Sequence, residues 1–434
     1  VGTAFTSIVL VSVMFLFLGS GIWVAISLLA VGYVALEFFT PAPAGSLLAS
    51  TIWDASWNWA LTALPLFIWM GEILFRSRLS EDMFKGLAPW LSWLPGRLLH
   101  VNIVGCGVMA AVAGSSAVTC ATVGRMSIPE LKKRGYDESM CIGTLAGSGT
   151  LGLLIPPSIM LIVYGVVAQQ SIARMFIAGI LPGILLVAMF MGFVIIWSWI
   201  YPNKTPASDI RMTFREKIWS SRRLIPVICL IIAVIGSIYG GIATPTEAAT
   251  LGVIGALILA AFSGNLNWAT FLDSLMSAMK TSCMIAFILV AAAFLSISMG
   301  FTGLPRALAG WVNGLGLSVP ALLCVLTIFF IILGCFLDGV SMMVLTASVV
   351  LPMVQNAGID LIWFGIYIVI VVEMAQITPP VGFNLFVLQG MTGRDILQVT
   401  KASIPFFCVM AASIVVLAVF PEIATFLPKY MVQR

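Results

Sequence analysis

Charge is what this sequence has least of. Of its 434 residues 9% are charged and 61% hydrophobic, with a mean hydropathy of +1.12, whereas soluble globular domains carry about 25% charged residues. That shortage excludes a water-soluble fold. Histidine is nearly absent: His100 has no HExxH around it, and no serine sits in GxSxG, so the hydrolytic motifs built on those spacings are missing. The eight cysteines (Cys106, Cys120, Cys141, Cys229, Cys283, Cys324, Cys335 and Cys408) form no CxxC pair and no metal-ligand spacing. Lying in apolar segments, they read as small packing residues. The basic excess is only +4, and its lysines and arginines cluster in short loops beside apolar runs, where topology accounts for them. No nucleic-acid partner is expected.

What is there is hydrophobic length. Apolar runs recur from residue 4 to residue 427, and a helix needs about 20 residues to cross a ~30 Å hydrocarbon core. The chain therefore reads as an all-α polytopic membrane protein embedded in a lipid bilayer along its whole length. The first run has no basic flank and no small-residue cleavage site, so it is read as mature membrane helix and not as a signal peptide.

The chain also resembles itself. A shift of 223 positions carries Pro129 onto Pro352, Gly135 onto Gly358, Asp137 onto Asp360, Pro156-Pro157 onto Pro379-Pro380, and Pro182 onto Pro405. The repeat divides the sequence into residues 1–223 and 224–434. Fifteen of the 21 basic residues precede position 224. They gather at Arg76-Arg78-Lys85, at Lys132-Lys133-Arg134, and in the loop 202–223 with Lys204, Arg211, Arg215, Lys217, Arg222 and Arg223, all expected on the cytoplasmic side.

The apolar stretch between the first two clusters must begin and end on one face. It is expected to be a re-entrant hairpin over about 98–135, with its tip at Gly114-Ser115-Ser116. Its copy spans about 320–358, and five intervening spans invert it. The positions matching Lys132-Lys133-Arg134 read Gln355-Asn356-Ala357, uncharged as an external loop requires. Inverted repeats with paired interruptions are the recurring plan of secondary transporters, with the site near the midplane.

The interruptions themselves point to that site, because non-helical backbone at membrane depth persists only when buried in protein or lining a cavity. There are four: Gly114-Ser115-Ser116, Asp338-Gly339-Val340-Ser341, Gly147-Ser148-Gly149-Thr150 through Pro156-Pro157-Ser158, and Gln376-Ile377-Thr378-Pro379-Pro380. A proline inside a span removes an amide and frees a carbonyl, which suits Na⁺, while half-helix N-termini suit an anionic group. Any one break alone is better read as a kink. Asp338 matches Ser115 in the repeat, and an aspartate at mid-span costs about 2.5–3.5 kcal/mol on insertion scales; a bound cation offsets this, and helix capping is the competing role. Glu373 faces either the same cavity or a neighbouring helix. Glu37, Glu72 and Glu247 sit near span ends and suit interfacial or helix-start roles. Trp53, Trp57, Trp59, Trp90 and Trp93 suit an aromatic belt. The segments 79–96 and 303–318 read as amphipathic interfacial helices, with Trp90 and Trp311 respectively.

These residues resemble a known family. Pro65-Leu66-Phe67-Ile68 with Met70-Gly71-Glu72, Gly114-Ser115-Ser116, Ile155-Pro156-Pro157-Ser158, the run Gly241-Ile242-Ala243-Thr244-Pro245-Thr246-Glu247-Ala248-Ala249, and Ile377-Thr378-Pro379-Pro380-Val381-Gly382 are similar to the large membrane subunit, DctM type, of tripartite ATP-independent periplasmic (TRAP) transporters. The resemblance covers essentially the whole chain. It implies an elevator-type carrier in the bacterial inner membrane, with a transport domain sliding against a scaffold, and Na⁺ as coupling ion without any other cofactor. It implies two partners, a small four-helix membrane subunit and a periplasmic binding protein delivering an organic acid such as a C4-dicarboxylate or sialic acid. Carried onto this sequence, it implies cation binding at Ser115, Ser116, Gly149, Thr150, Asp338, Gly339 and Thr378. Substrate contacts are then expected at Gly114, Thr119, Pro156, Pro157, Ser158, Pro379, Pro380 and Asn384. The chain departs from the family in Ala117-Val118-Thr119-Cys120, where an alanine-rich run is expected, and in Gly339, where proline often follows the aspartate.

The expected layout is ten spans plus two hairpins with both termini external; residues 1–39 read either as two short spans turning at Gly19-Ser20-Gly21 or as one long tilted helix, and the repeat partner 224–262, turning near Gly240-Gly241, favours two. A stand-alone carboxylate or cation carrier, a channel and an intramembrane enzyme are the competing classes. Transport without a binding protein, single-channel currents or lipid turnover, respectively, distinguishes them. For the topology, a cysteine introduced as Gly2→Cys is expected to react with an impermeant maleimide applied from outside; protection until the membrane is opened refutes it.

Overall fold

The computed structural model describes residues 3–57, 59–77, 79–206, 212–222, 224–264, 266–314, 316–334, 337–379 and 382–431. Arg78, Arg211, Arg223, Cys335, Pro380 and Val381 lie outside the described residues. Among the described residues every regular element is helical. Among these residues five helices are long and apolar enough to cross a bilayer alone, or seven when each bent pair counts as one span. Others expected to cross, such as Val24–Phe39, Ala63–Phe75 and Leu361–Gln376, fall short of that length, two of them because a break interrupts the span.

Helix ends follow the 223-residue shift. Ser116–Lys133 maps onto Gly339–Asn356 at both ends, and Glu138–Gly149 starts where Leu361–Gln376 starts. The short helices Ala44–Ser56 and Ala63–Phe75 correspond to one continuous helix, Trp268–Thr302. Residues 1–39 are two helices, Thr3–Gly19 and Val24–Phe39, with Gly21 at the turn in the left-handed region. The amphipathic segments fold as Leu79–Leu91 and Leu304–Gly314.

Two packed groups emerge. In one, Trp268–Thr302 lies along Val24–Phe39, Ala44–Ser56 and Ala63–Phe75, with Pro245–Phe262 on Ala63–Phe75. In the other, Leu99–Ala113 and Ser116–Lys133 pack together and on Glu138–Gly149, while Leu361–Gln376 packs on Val319–Leu333, Gly339–Asn356 and Ile172–Ile200. The groups touch where Ala63–Phe75 meets Leu99–Ala113 and where Trp268–Thr302 meets Gly339–Asn356. The helix Leu79–Leu91 is braced by Phe214–Ser221: Trp90 Nε1 donates to Ser221 Oγ at 2.8 Å, and Ser221 Oγ to the Gly86 carbonyl at 2.9 Å.

In lipid, helices associate through close packing and interhelical hydrogen bonds, because the tails are as apolar as leucine. Both devices are present. Asn102 Nδ2 donates to Thr144 Oγ1 at 2.9 Å, and Tyr164 donates its hydroxyl to the Leu361 carbonyl at 2.6 Å, joining the two halves of the sequence. Cys106, Cys120 and Cys141 are buried packing residues, but Cys229, Cys283, Cys324 and Cys408 are exposed. That corrects the uniform packing role read from sequence: an apolar segment has a lipid-facing side as well as a core side. Trp53, Trp57, Trp59 and Trp93 are exposed as belt residues would be.

A Cβ on Gly143 would collide with the Ala402 carbonyl and lie 2.8 Å from the Phe406 ring, so Glu138–Gly149 and Ile396–Val419 touch backbone to backbone. Gly143→Val is expected to cost about 1–3 kcal/mol through overpacking, read as a lower melting temperature of the purified protein; an unchanged transition refutes the contact.

Candidate functional site

The first hairpin turns because Gly114 adopts φ +60°, which ends Leu99–Ala113, and Ser115 is extended at φ −140° before Ser116–Lys133 begins. Glycine enters that left-handed conformation without the Cβ clash other residues meet. The first broken span opens at Ile155, held in the β region at ψ 124° as a residue before proline must be. The chain then resumes as Ile159–Val167, bent by 43°. Tip and break are seated on one another. Ile159 N donates to the Gly114 carbonyl at 3.4 Å, and a Cβ on Gly152 would lie 2.5 Å from the Ser115 carbonyl oxygen.

The second half repeats this arrangement with different chemistry. Leu361–Gln376 tightens at its end, with Ile377 N and Thr378 N donating three residues back to Met374 and Ala375, before Phe383–Thr392 begins at Gly382. The second hairpin's helix starts at Gly339, whose Cβ would meet Val372 at 2.6 Å and Leu153 of the first broken span at 3.9 Å. Ser116 stands beside Glu373. All four breaks thus converge, each hairpin start touching broken spans of both halves.

Two helix starts are closed by their own side chains. Ser158 accepts from Leu161 N at 3.3 Å and donates to the Leu153 carbonyl. Asp338 accepts from Val340 N at 3.1 Å, from Ser341 N at 3.2 Å and from the Ser341 hydroxyl, and is exposed. Capping, the competing role for Asp338, is therefore what its carboxylate does here. Two other starts have no side-chain cap, Ser116–Lys133 and Phe383–Thr392. An uncapped N-terminus presents unpaired amides and positive dipole, a ready anion site.

These two uncapped helices pack together, with Gly124 against Met391, each eight residues beyond its helix start. Both helices end towards the Arg394–Glu138 pair that follows them, so they run in the same direction and their starts are level. Thr119 and Asn384, both fully buried, lie one turn or less inside them, and neither the Thr119 hydroxyl nor either Asn384 side-chain heteroatom has a hydrogen-bond partner. Buried polar groups normally find partners, so these await one.

The remaining expected residues are distributed around this point. Gly149, Thr150, Pro156, Pro157 and Ser158 are buried, while Thr378 is half-buried and Pro379 exposed. Thr150 Oγ1 donates to the Gly147 carbonyl at 2.5 Å, and Thr378 Oγ1 to Ala375 at 2.9 Å. Pro380 lies outside the described residues. The oxygens near the breaks are hydroxyls, carbonyls and the Asp338 carboxylate, and no group of three His, Cys, Asp or Glu occurs among the described residues. Sequence reasoning missed the buried ladder in which Ser148 Oγ donates to Thr144 and Asn102 carbonyls, although threonine and serine four apart in an apolar helix signal it. At the charged end, Arg394 clamps Glu138 with two bonds of 3.0 and 2.5 Å, and Lys204 meets Asp137 at 3.2 Å.

Residues 11–423 match the family model described as tripartite ATP-independent periplasmic transporter, DctM component. The chain belongs to this family of TRAP large membrane subunits. It is 30% identical over 401 residues to the C4-dicarboxylate TRAP transporter large permease protein DctM of Pseudomonas aeruginosa, covering 92% of this chain and 93% of the relative. It is 32% identical over 419 residues to the isethionate TRAP transporter permease protein DctMQ of Oleidesulfovibrio alaskensis, covering 95% of this chain and 64% of that protein. The fold is similar to that of the Alcanivorax borkumensis YdaH transporter, with a TM-score of 0.63 at 14% identity, over 96% and 98% of the two chains. A transport role in a multi-pass membrane protein follows for this TRAP subunit.

Within this TRAP site Gly152→Ala forces its methyl against the Ser115 carbonyl, backbone that cannot swing away as a side chain does. The variant is expected to insert and purify normally while uptake falls by tenfold or more, on the order of what small misplacements cost at functional sites; uptake at the wild-type rate removes the tip-to-break contact from the site.

Proposed function

We propose that this TRAP subunit carries out Na⁺-coupled uptake of a small organic acid across the bacterial inner membrane. The observation that carries the reading is the pair of level, uncapped helix starts at Ser116 and Phe383, flanked by the unpartnered buried Thr119 and Asn384. A carboxylate there accepts from backbone amides and is favoured by both dipoles. Thr119 and Asn384 then hydrogen-bond and orient it, and Gly114, Pro156, Pro157, Ser158, Pro379 and Pro380 shape the walls around it. The relatives named for C4-dicarboxylate and isethionate support a small anion of this kind.

Na⁺ is held at the breaks. In the first half Ser115, Ser116, Gly149 and Thr150 offer hydroxyl and carbonyl oxygens, and in the second half Asp338, Gly339 and Thr378 do so. Cation and anion lie a few residues apart, so each lowers the cost of burying the other. With two Na⁺ per monoanion one net charge moves inward, and a potential of ~100 mV contributes about 2.3 kcal/mol.

The two halves are read as inverted repeats, ten spans and two re-entrant hairpins in all. The group holding the four breaks is read as the transport domain, moving as an elevator against the group built on Trp268–Thr302. A small membrane subunit and a periplasmic binding protein complete the system, the latter delivering the substrate.

In proteoliposomes containing both membrane subunits, uptake of the binding protein's ligand is expected to require that protein, inward Na⁺ and an inside-negative potential. Asp338→Ala is expected to insert normally and lose Na⁺-dependent uptake. Uptake indifferent to Na⁺ and potential sinks the coupling, and transport without the binding protein favours a stand-alone carrier.

A further inference from the structure

One buried carboxyl group has no role in the site as described so far. Glu373 lies in the last turn of Leu361–Gln376, is 1% exposed, and neither carboxyl oxygen has a hydrogen-bond partner. Ser116, itself buried, is the polar side chain beside it, outside strict hydrogen-bond geometry. The second hairpin closes the other side: the Gly339 Cα packs against Val372, and Gly334 against Ala375.

Among the described residues no Lys, Arg or His is bonded to this carboxyl. The helices Val319–Leu333, Gly339–Asn356 and Leu151–Leu154, all packed on its own helix, carry no Lys, Arg or His. Arg174 and Lys401 sit near the starts of two further neighbours and Lys429 near the end of a third, Glu422–Tyr430, and none is bonded to Glu373. A buried charge is retained when it is paired or ligates a metal.

We infer that Glu373, with the Ser116 hydroxyl, forms a Na⁺ site that ties the tip of the first hairpin to the second broken span. The inference rests on the Na⁺-coupled reading above and assigns one of its ions to a carboxylate that the first-half and second-half sites do not include. A single carboxylate with a hydroxyl suits a hard monovalent ion; Ca²⁺ takes six to eight oxygens, and no cluster of three acidic, His or Cys ligands is present among the described residues. Because Ser116 and Glu373 belong to different halves of the chain, occupancy couples the first hairpin to the second broken span, which the hydrogen bonds of the structure leave unlinked at this point.

The test is equilibrium binding of radioactive Na⁺ to the purified membrane complex, comparing wild type, Glu373→Gln and Glu373→Asp, each checked for a monodisperse elution profile. Glu373→Gln keeps shape and removes charge. It is expected to bind one Na⁺ fewer per chain and to move one charge fewer per substrate in proteoliposomes. Glu373→Asp is expected to keep the full number of ions at about tenfold lower affinity. Equal Na⁺ binding by Glu373→Gln and wild type, as when the carboxyl holds a proton instead, overturns this site alone. Wild type binding no Na⁺ overturns both it and the Na⁺-coupled reading.

Discussion

Every amide and carbonyl released by a break inside an apolar body has to find a partner there, because the surrounding hydrocarbon offers none. That constraint sorts the four interruptions of this chain. At Ser158 and Asp338 the side chain of the capping residue closes the helix start, and at Gly114 the freed carbonyl receives Ile159 N from the neighbouring break. At Ser116 and Phe383 no side chain does so. Satisfied ends build the frame around the breaks, and at the other two no side chain takes up the first amides.

Meeting that constraint requires backbones to approach one another within van der Waals contact, which explains the glycines at the crossing points. Gly152 leaves room for the Ser115 carbonyl, and Gly339 lets the second hairpin lie on Val372. Packing this close makes the centre stiff, so a moving body that carries it would move as a unit. The group around the breaks touches the helices built on Trp268–Thr302 at few places, and the brace between Leu79–Leu91 and Phe214–Ser221 runs alongside.

The asymmetry between the halves matters as much as their likeness. Ser115 and Asp338 occupy matching positions, yet one leaves its helix uncapped and the other caps two of its first amides. The carboxylate left unpaired in the centre is Glu373, on the other element of the second half. Each half thus contributes one closed start and one open start, arranged crosswise: the open hairpin of the first half faces the open broken span of the second.

Much of this was legible in the residues, and for a physical reason. Pro and Gly act on the backbone of their immediate neighbours, so the hairpin turn at Gly114, the breaks at Pro156-Pro157 and Thr378-Pro379, and the matching ends of Ser116–Lys133 and Gly339–Asn356 could be read from spacing alone. The family was legible in the same local signatures. What depends on which face of a helix is turned inward could not be read, because in a membrane protein core and lipid sides are equally apolar: Cys106 and Cys229 look alike in sequence, and one is buried while the other is exposed. The same holds for the two acids. Asp338 caps through Val340 and Ser341, its own near neighbours, but its exposure and the enclosure of Glu373 depend on elements more than thirty positions away in sequence, and only the tertiary packing decided that the first is exposed and the second enclosed.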